Sequence, residues 1–293
     1  MKFEYTAGAG AIARRVAAAA LDLPHSNFMR SSLSGARAAV CALLMFSQSH
    51  AVARPDADAF NGNGAFARKA ETLNFGIEWR LFSAGTAKLK SSPEGAEQKG
   101  RWRSSLHLES AGVIAAFYKL ADQYDVHLED GFCATSSVFS AQEGKRNRET
   151  RVAYDRAKGR ATYVEKDLTK NAILHAGQTD VPECVSDVVG ALYRLRAMKL
   201  DPGQTARLAI SDGKKAAQVR VDARDREEVE TKLGKFKTVH YDVNIFNGVL
   251  FSRRAQVEVW LSDDARRLPV QVRVHLPIVI GTITLQLEKE EKS

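Results

Sequence analysis

The residues best suited to acid–base chemistry are four histidines that stand beside charged residues in alternating segments. These pairs are His107 with Arg103, His127 with Asp125, His240 with Asp242, and His275 with Arg273. Imidazole exchanges a proton near neutral pH, so the histidines are unassigned candidates for acid–base chemistry. All four histidines fall on the polar side of their segments, which is typical of the solvent face of a sheet. A sheet closed around a polar lumen would instead turn them into a cavity, and periodicity leaves both orientations open.

Acidic residues provide further candidates, but no catalytic role can be assigned to any residue from spacing. The acids are Glu78, Glu109, Asp125 and Glu129. The sequence lacks a Gly-x-Ser-x-Gly motif, a phosphate-binding glycine loop, a dinucleotide fingerprint and a zinc-protease motif. This favours a noncatalytic protein. The alternative is a hydrolase of envelope polymers, which two carboxylates about 5 to 10 Å apart in a cleft would support.

A candidate binding site lies around a charged turn near the C-terminus. Asp263 and Asp264 suit a turn because their side chains accept hydrogen bonds from nearby backbone amides, and Arg266 and Arg267 can pair with them. The structural interpretation is therefore a tight hairpin turn. The functional interpretation is an anion or sugar site formed by Trp260, Arg266 and Arg267, with Trp260 on the non-core side of its strand.

Two cysteines remain once the leader described below is removed. An oxidising compartment favours a disulfide between Cys133 and Cys184, and this bond would tie the loop before the main helix to the first half of the chain. Two buried free thiols and a metal site with a histidine are the alternatives. The sequence has no paired Cys-x-x-Cys or His-x-x-x-His spacing, so it predicts no metal site and no cofactor.

Residues 1–53 read as a Sec-type signal peptide. An apolar run from Ala38 to Phe46 follows Arg30 and Arg37 and ends at Ala51-Val52-Ala53, a small-x-small cleavage signal. Met29 would give a leader of normal length and is the better start. The apolar run is too short to span a bilayer, which needs about 20 residues. The predicted location is the periplasm, without an integral membrane segment after cleavage.

The remaining chain carries 38 basic and 33 acidic residues, a net charge of +5. The basic residues are scattered, and no basic helix with interleaved aromatic residues occurs. The charge therefore gives no support for nucleic acid binding and only weak support for an anionic environment. The chain does not indicate an oligomeric state.

The elements that position these residues are short alternating segments on either side of one helix. Residues 54–70 read as a flexible spacer, 71–288 as a single β-rich domain, and 289–293 as a charged tail. About a dozen antiparallel strands are predicted. The helix, Asp187 to Met198, has an apolar stripe of Val188, Leu192, Leu195 and Met198, with Arg194 and Arg196 pointing elsewhere and Ser186 as N-cap. The fold class is mostly β, an antiparallel sheet curved into an open or closed barrel-like scaffold, lipocalin-like or lipoprotein-carrier-like.

Three stretches resemble a known family. The segment Trp260 to Val270 resembles the closing hairpin of bacterial domain-of-unknown-function family 3108, a family of exported Gram-negative proteins. Asp187 to Arg196 is similar to its helix, and Leu73 to Trp79 to its first hairpin. The resemblance implies a periplasmic β-rich scaffold and supplies no catalytic residues. The favoured function is a noncatalytic periplasmic binding or envelope-maintenance scaffold for a lipid, glycan or peptide; an outer-membrane barrel is a second alternative to the hydrolase.

Overall fold

One antiparallel sheet forms most of the protein. The computed structural model describes residues 69–80, 82–94, 100–244, 256–275 and 281–292, so the predicted signal peptide and nearly all of the predicted spacer lie outside the described residues. The strands are β1 (Glu71–Trp79), β2 (Phe82–Pro93), β3 (Trp102–Ser110), β4 (Leu120–Glu129), β5 (Cys133–Glu143), β6 (Arg146–Asp155), β7 (Arg160–Asp167), β8 (Ala172–Asp180), β9 (Thr205–Ser211), β10 (Ala216–Thr231), β11 (Gly234–Asn244), β12 (Gln256–Ser262), β13 (Pro269–His275) and β14 (Thr282–Lys292). The helices of the described residues are α1 (Gly112–Phe117), α2 (Val188–Ala197) and a 3-10 turn at Asp130–Phe132.

The strand order divides the sheet into two meanders. It runs β8-β7-β6-β5-β4-β3-β2-β1-β14-β13-β12-β11-β10-β9, so the first and last strands pair at its centre. The two outermost strands, β8 and β9, follow each other in the chain and do not pair, which leaves the sheet open. The predicted mostly β, barrel-like fold is confirmed, in its open form.

Helix α2 lies between the two halves. Val189, Tyr193 and Ala197 pack into the core of the first half, whereas Ala191 and Leu195 pack into the core of the second. The helix is therefore buried on several sides, and the predicted single stripe is wrong in one member, because Val188 is 60 % exposed. The N-cap is Asp187 and not Ser186: its carboxylate accepts hydrogen bonds from the backbone N–H groups of Val189 and Gly190.

Arg196 contradicts the prediction that it points away from the core, since its side chain is fully buried. Its guanidinium forms a bidentate ion pair with Glu71 of β1, with Nη2 3.1 Å from Oε2. It also donates to the carbonyls of Arg267 at 2.9 Å and Arg266 at 3.2 Å. One side chain thus joins the helix, the first strand and the β12–β13 turn.

The buried apolar residues of the alternating strands face α2, and most of the charged residues face outward. In β12, for example, Val257, Val259 and Leu261 belong to the second core, whereas Glu258 and Trp260 lie on the other side. The hydrophobic core occupies the inner face of the sheet. The polar side of the strands, which carries the four histidines, is therefore the outer face. Strand β14 continues to Lys292 and pairs with β1 from Ile283 onward, with a bulge at Glu288, so residues 289–292 of the predicted tail lie in the sheet.

A polar contact bridges the open side of the sheet near the β9–β10 hairpin. Lys214 of that hairpin lies 2.6 Å from Glu165 of β7, and Arg148 of β6 lies 3.0 Å from the same carboxylate. Tyr154 adds a hydrogen bond of 3.0 Å to the carbonyl of Ser211. The β9–β10 hairpin is thereby held against the first half although β8 and β9 are unpaired.

Replacing Glu165 with glutamine is expected to lower the free energy of unfolding by about 1 to 2 kcal/mol at pH 7, because two charge-assisted bonds are lost. Burial acts to raise the pKa of the Glu165 carboxyl, but the bonds and charges of Lys214 and Arg148 overcome it and lower the pKa. A lowered folded-state pKa gives stability that is complete above the ordinary glutamate pKa of about 4.3 and lost as the pH falls through the folded-state value.

Urea unfolding of the wild type and of Glu165→Gln, from pH 7 to below the ordinary glutamate pKa, would measure the difference in their free energies of unfolding. The gap between wild type and variant should narrow as the pH falls below the ordinary glutamate pKa of about 4.3 and through the lower folded-state pKa of Glu165. Glu228→Gln is the control, because its ion pair with Lys235 is exposed on both sides and should contribute little. A gap for Glu165→Gln that stays constant with pH would refute the assignment.

Candidate functional site

Trp260 lies at the centre of a polar cluster on the outer face of the second half. Its ring stacks on the imidazole of His240 with centroids 4.4 Å apart and planes 4° from parallel. The guanidinium of Arg273 lies 4.9 Å from the ring centroid. Since His240 is on β11 and Arg273 on β13, they flank the ring from opposite sides, and the indole N–H donates to Glu227. The side chain is 4 % exposed despite facing away from the core.

Beside this stack, two histidines and two carboxylates converge. His240 Nε2 lies 3.4 Å from Asp242 Oδ1 and 3.7 Å from Glu258 Oε1. His275 Nε2 lies 2.6 Å from Glu258 Oε2. The register causes this, because Asp242 on β11 is directly opposite Glu258 on β12 and His240 is two residues before Asp242 on the same face. His240, Asp242 and Glu258 have the donor atoms to hold a metal ion.

The two predicted arginine ligands lie apart from Trp260. Arg266 is half exposed and pairs with Asp264 at 3.2 Å and Glu290 at 3.0 Å. Arg267 donates to the hydroxyl of Tyr241 at 2.7 Å, and Tyr241 belongs to the inner core. These contacts of Arg266 and Arg267 do not include Trp260, and the joint binding role of the three residues stays a prediction. A sugar could stack on Trp260 only after His240 or Arg273 moved away.

The hydrogen bonds of the β12–β13 turn agree with its interpretation as a tight hairpin turn. Asp264 Oδ1 accepts from the backbone N–H groups of Arg266 at 3.0 Å and Arg267 at 3.1 Å. These bonds hold Arg267 at a φ of 45°, a strained value for a residue with a side chain. The turn directs its Arg266 and Arg267 carbonyls at Arg196.

Cys133 and Cys184 form the predicted disulfide, with Cα atoms 5.0 Å apart. The bond connects the start of β5 to the segment before α2. The backbone N–H of Ala134 donates to the carbonyl of Val185 at 2.8 Å, and the Ser186 hydroxyl donates to the carbonyl of Phe132 at 3.0 Å. The segment before the helix is thus fixed to the first half, as predicted.

The other candidate acids and histidines lie on strands of the first half in separate pairs. His107 is 3.9 Å from Glu109, and His127 bonds Glu94. Asp125 pairs with Arg103 at 3.5 Å. Glu129 pairs with Arg156 at 3.2 Å, and Glu78 is exposed on β1. No hydrogen bond or ion pair among the described residues connects two of the four proposed acids, whereas Asp242 and Glu258 share His240 as a neighbour.

The two ends of the sheet differ in charge. Strand order places the β1–β2, β3–β4, β5–β6, β7–β8, β9–β10, β11–β12 and β13–β14 connections at one end, here called the basic rim. Of the last two connections the structure describes Gly281. Its described residues include six basic side chains against one acidic, Asp212. The six are Arg80, Lys119, Lys145, Lys170, Lys214 and Lys215. The described connections at the opposite end, with helix α2 left out because it lies inside the sheet, hold seven basic and seven acidic residues, so their charges balance.

Exposed apolar residues are concentrated at the same rim. Of seven large exposed hydrophobic residues in the described chain, five lie there: Phe82, Val113, Phe117, Leu168 and Ile173. Phe117 is 85 % exposed at the end of α1, and Phe82 is 65 % exposed at the start of β2. Helix α1 is held on β2 by the Ala111 N–H, which donates to the carbonyl of Ala84 at 3.0 Å. The sequence does not indicate this rim, because its turns are far apart in the chain and come together only through the strand order of the sheet.

No helix of the described residues has both the length and the apolar character needed to cross a membrane. A comparison with curated proteins found no match. Solved structures do match. A beta-barrel-like protein of the domain of unknown function DUF1849 from Brucella abortus has a TM-score of 0.53 and 9 % identity, covering 78 % of this chain and all of the other. At that identity the likeness concerns the fold alone.

Two further structures match with low TM-scores. A DUF1089 family protein from Pseudomonas aeruginosa has a TM-score of 0.32 and 16 % identity, covering 66 % of this chain and 90 % of the other. A protein with a YmcC-like fold from Bacteroides fragilis NCTC 9343, described as exported, has a TM-score of 0.33 and 12 % identity, covering 77 % and 97 %. The model of DUF3108, described as a protein of unknown function, matches residues 74–288. The chain therefore belongs to the DUF3108 family.

Proposed function

We propose that this protein is a noncatalytic, exported binding protein of the bacterial cell envelope, and that its basic rim binds anionic lipid. The observation that carries the proposal is the coincidence of charge and apolar exposure. Among the described connections, one end of the sheet combines five net positive charges with five exposed large apolar side chains, whereas the connections of the other end, apart from helix α2, are neutral. Surfaces that lie at a lipid interface combine basic and apolar residues in this way.

The arrangement suits a lipid better than a glycan or peptide. Phe82, Val113 and Phe117 project at the β2–α1 corner, where apolar side chains can enter the acyl boundary. Lys119 and Lys145 are exposed in neighbouring turns and can contact phosphate oxygens. Each basic residue near an anionic surface contributes about 1 kcal/mol, so the rim's excess charge is enough for reversible binding.

Export and a periplasmic location belong to the same proposal. The leader of residues 1–53 supports it, and so does the Cys133–Cys184 disulfide, because such bonds persist in oxidising compartments. Cell fractionation would test the location. Recovery of the protein in the periplasmic extract is expected, and recovery only in the cytoplasm would refute it.

Cosedimentation with phosphatidylglycerol vesicles would test lipid binding. Reversing three rim lysines, Lys119, Lys145 and Lys170, to glutamate is expected to weaken binding at least about 100-fold, from roughly 1 kcal/mol per lysine. Phe82→Ser with Phe117→Ser is expected to weaken it at least about tenfold by removing apolar insertion. Raised salt should weaken the wild type by screening.

The matched control reverses three exposed lysines of the opposite end, Lys158, Lys199 and Lys232, to glutamate. This variant has the same net charge as the rim variant, so general electrostatic attraction would affect both equally. Binding close to wild type is expected. Equal loss in both variants, or no wild-type binding to anionic vesicles, would contradict the proposal.

A further inference from the structure

A second site lies on the outer face of β11 and β12, at the polar cluster beside Trp260. The three nearest donor atoms, His240 Nε2, Asp242 Oδ1 and Glu258 Oε1, all lie within 4.8 Å of one another. The Nε2 atom of His240 is sealed from solvent, and no described residue gives it a hydrogen bond. A buried imidazole nitrogen without a partner is unfavourable unless something else fills its coordination.

The second oxygen of each carboxylate accepts a hydrogen bond from a residue outside the three candidate ligands. Arg224 Nε donates to the second oxygen of Asp242, Oδ2, at 2.6 Å. His275 Nε2 donates to the second oxygen of Glu258, Oε2, at 2.6 Å, and Arg273 lies 3.7 Å from it. Asp242 Oδ2 and Glu258 Oε2 therefore accept hydrogen bonds from these residues, while Asp242 Oδ1 and Glu258 Oε1 face His240. This division is how supporting residues orient the ligands of a metal site.

The imidazole of His240 is itself fixed in orientation. It lies flat on Trp260, and its Nδ1 is 3.6 Å from Glu227 Oε1. Rotation of the ring would break the stack, so Nε2 stays directed at the two carboxylates. A preorganised donor of this kind lowers the cost of binding an ion.

The spacing suits a small transition-metal ion. Zinc binds imidazole nitrogen and carboxylate oxygen at about 2.0 to 2.2 Å, so tetrahedral ligand atoms lie about 3.3 to 3.5 Å apart. His240 Nε2 is 3.4 Å from Asp242 Oδ1 and 3.7 Å from Glu258 Oε1. Small side-chain rotations would bring all three atoms to bonding distance. One nitrogen and two carboxylate ligands would neutralise the ion and leave a coordination position open.

We propose that His240, Asp242 and Glu258 bind a divalent transition-metal ion such as Zn²⁺, with Arg224 and His275 orienting the two carboxylates. The sequence predicted no metal site because the three ligands follow no metal-binding spacing. They converge only through the pairing of β11 with β12. Nothing in this inference depends on lipid binding at the basic rim.

Calorimetric titration of untagged, chelator-treated protein with ZnCl₂ would test the site. One ion per chain is expected. Asp242→Asn and Glu258→Gln keep the side-chain shapes and are each expected to weaken binding at least about 100-fold, beyond the 10- to 100-fold effect of a supporting residue. Circular dichroism melts would establish that the variants are folded. His107→Ala is the control, because His107 faces one exposed carboxylate, Glu109, and should leave the affinity unchanged.

Tryptophan fluorescence gives a second test that leaves the three metal-binding residues unchanged. Co²⁺ bound to His240 would quench the indole stacked on that ring, so wild-type fluorescence should fall on titration and the Trp260→Phe protein should lose most of this quenching. Failure of the wild type to bind Zn²⁺ would overturn the proposal. Zinc binding that survives both Asp242→Asn and Glu258→Gln, or cobalt quenching that is the same in Trp260→Phe, would overturn it as well.

Discussion

Replacing Arg196 with methionine is expected to lower the free energy of unfolding by about 3 to 5 kcal/mol, because the change leaves the Glu71 carboxylate largely buried without its cation. Arg196 is fully buried, and Glu71 is 13 % exposed. The same change removes two hydrogen bonds to the carbonyls of Arg266 and Arg267. Urea unfolding followed by circular dichroism measures the loss.

The matched control is Arg226→Met. Arg226 also contacts two carboxylates, Asp201 at 2.8 Å and Asp263 at 2.9 Å, but it is 52 % exposed. Exposed pairs contribute about 0 to 1 kcal/mol, so this variant should remain close to wild type. Combining Arg196→Met with Glu71→Met should recover part of the loss, since both charges are then gone. Equal effects of the Arg196 and Arg226 variants would refute the assignment of Arg196 as a buried junction.

Removing the disulfide, by Cys133→Ala with Cys184→Ala, is expected to lower the free energy of unfolding by up to about 4 kcal/mol. The two cysteines are 51 residues apart, and the estimate follows from the chain entropy of a closed loop of that length. The measurement is urea unfolding of the oxidised wild type against the double variant. Intact mass after alkylation without reductant gives the check, because a closed bond leaves neither Cys133 nor Cys184 alkylated.

The double variant also shows whether the disulfide only stabilises the fold or is needed to position α2 as well. Ala134 and Ser186 hold the same segment through backbone and hydroxyl contacts, so the native position of α2 should survive loss of the disulfide. Near-ultraviolet circular dichroism at low urea should therefore resemble that of wild type. An unchanged unfolding midpoint in the double variant would show that the bond does not stabilise the fold.

Local signals predicted the helix, the β-rich domain and the disulfide well. The helix was placed within one residue at each end, because Asp187 provides its cap and Pro202-Gly203 follow it. Strand β8 was missed: it is an edge strand with mostly exposed residues, so it lacks the alternation that burial imposes. The second half of β10 was missed for the same reason, since Arg224 to Thr231 are largely exposed and charged.

Long-range partners could not be predicted from one sequence. Helical spacing placed Arg196 off the apolar stripe, and its partner Glu71, 125 residues away, gives no local signal that the side chain is buried. His240, Asp242 and Glu258 were each assigned correctly to the polar side of a strand. Their convergence depends on the register of β11 with β12, which a pattern of period two does not define.

Pairing of the first strand with the last has a consequence for how the chain folds as it is made. Asn74 of β1 and Glu291 of β14 share a hydrogen bond across 217 positions, whereas every other neighbouring pair of strands is consecutive in the chain. The hairpins can form early because their loops are short. One side of β1 must then remain without a partner until the final strand emerges, and an unpaired strand edge promotes aggregation. We therefore expect the pairing of β14 with β1 to complete the sheet after the hairpins of both halves have formed.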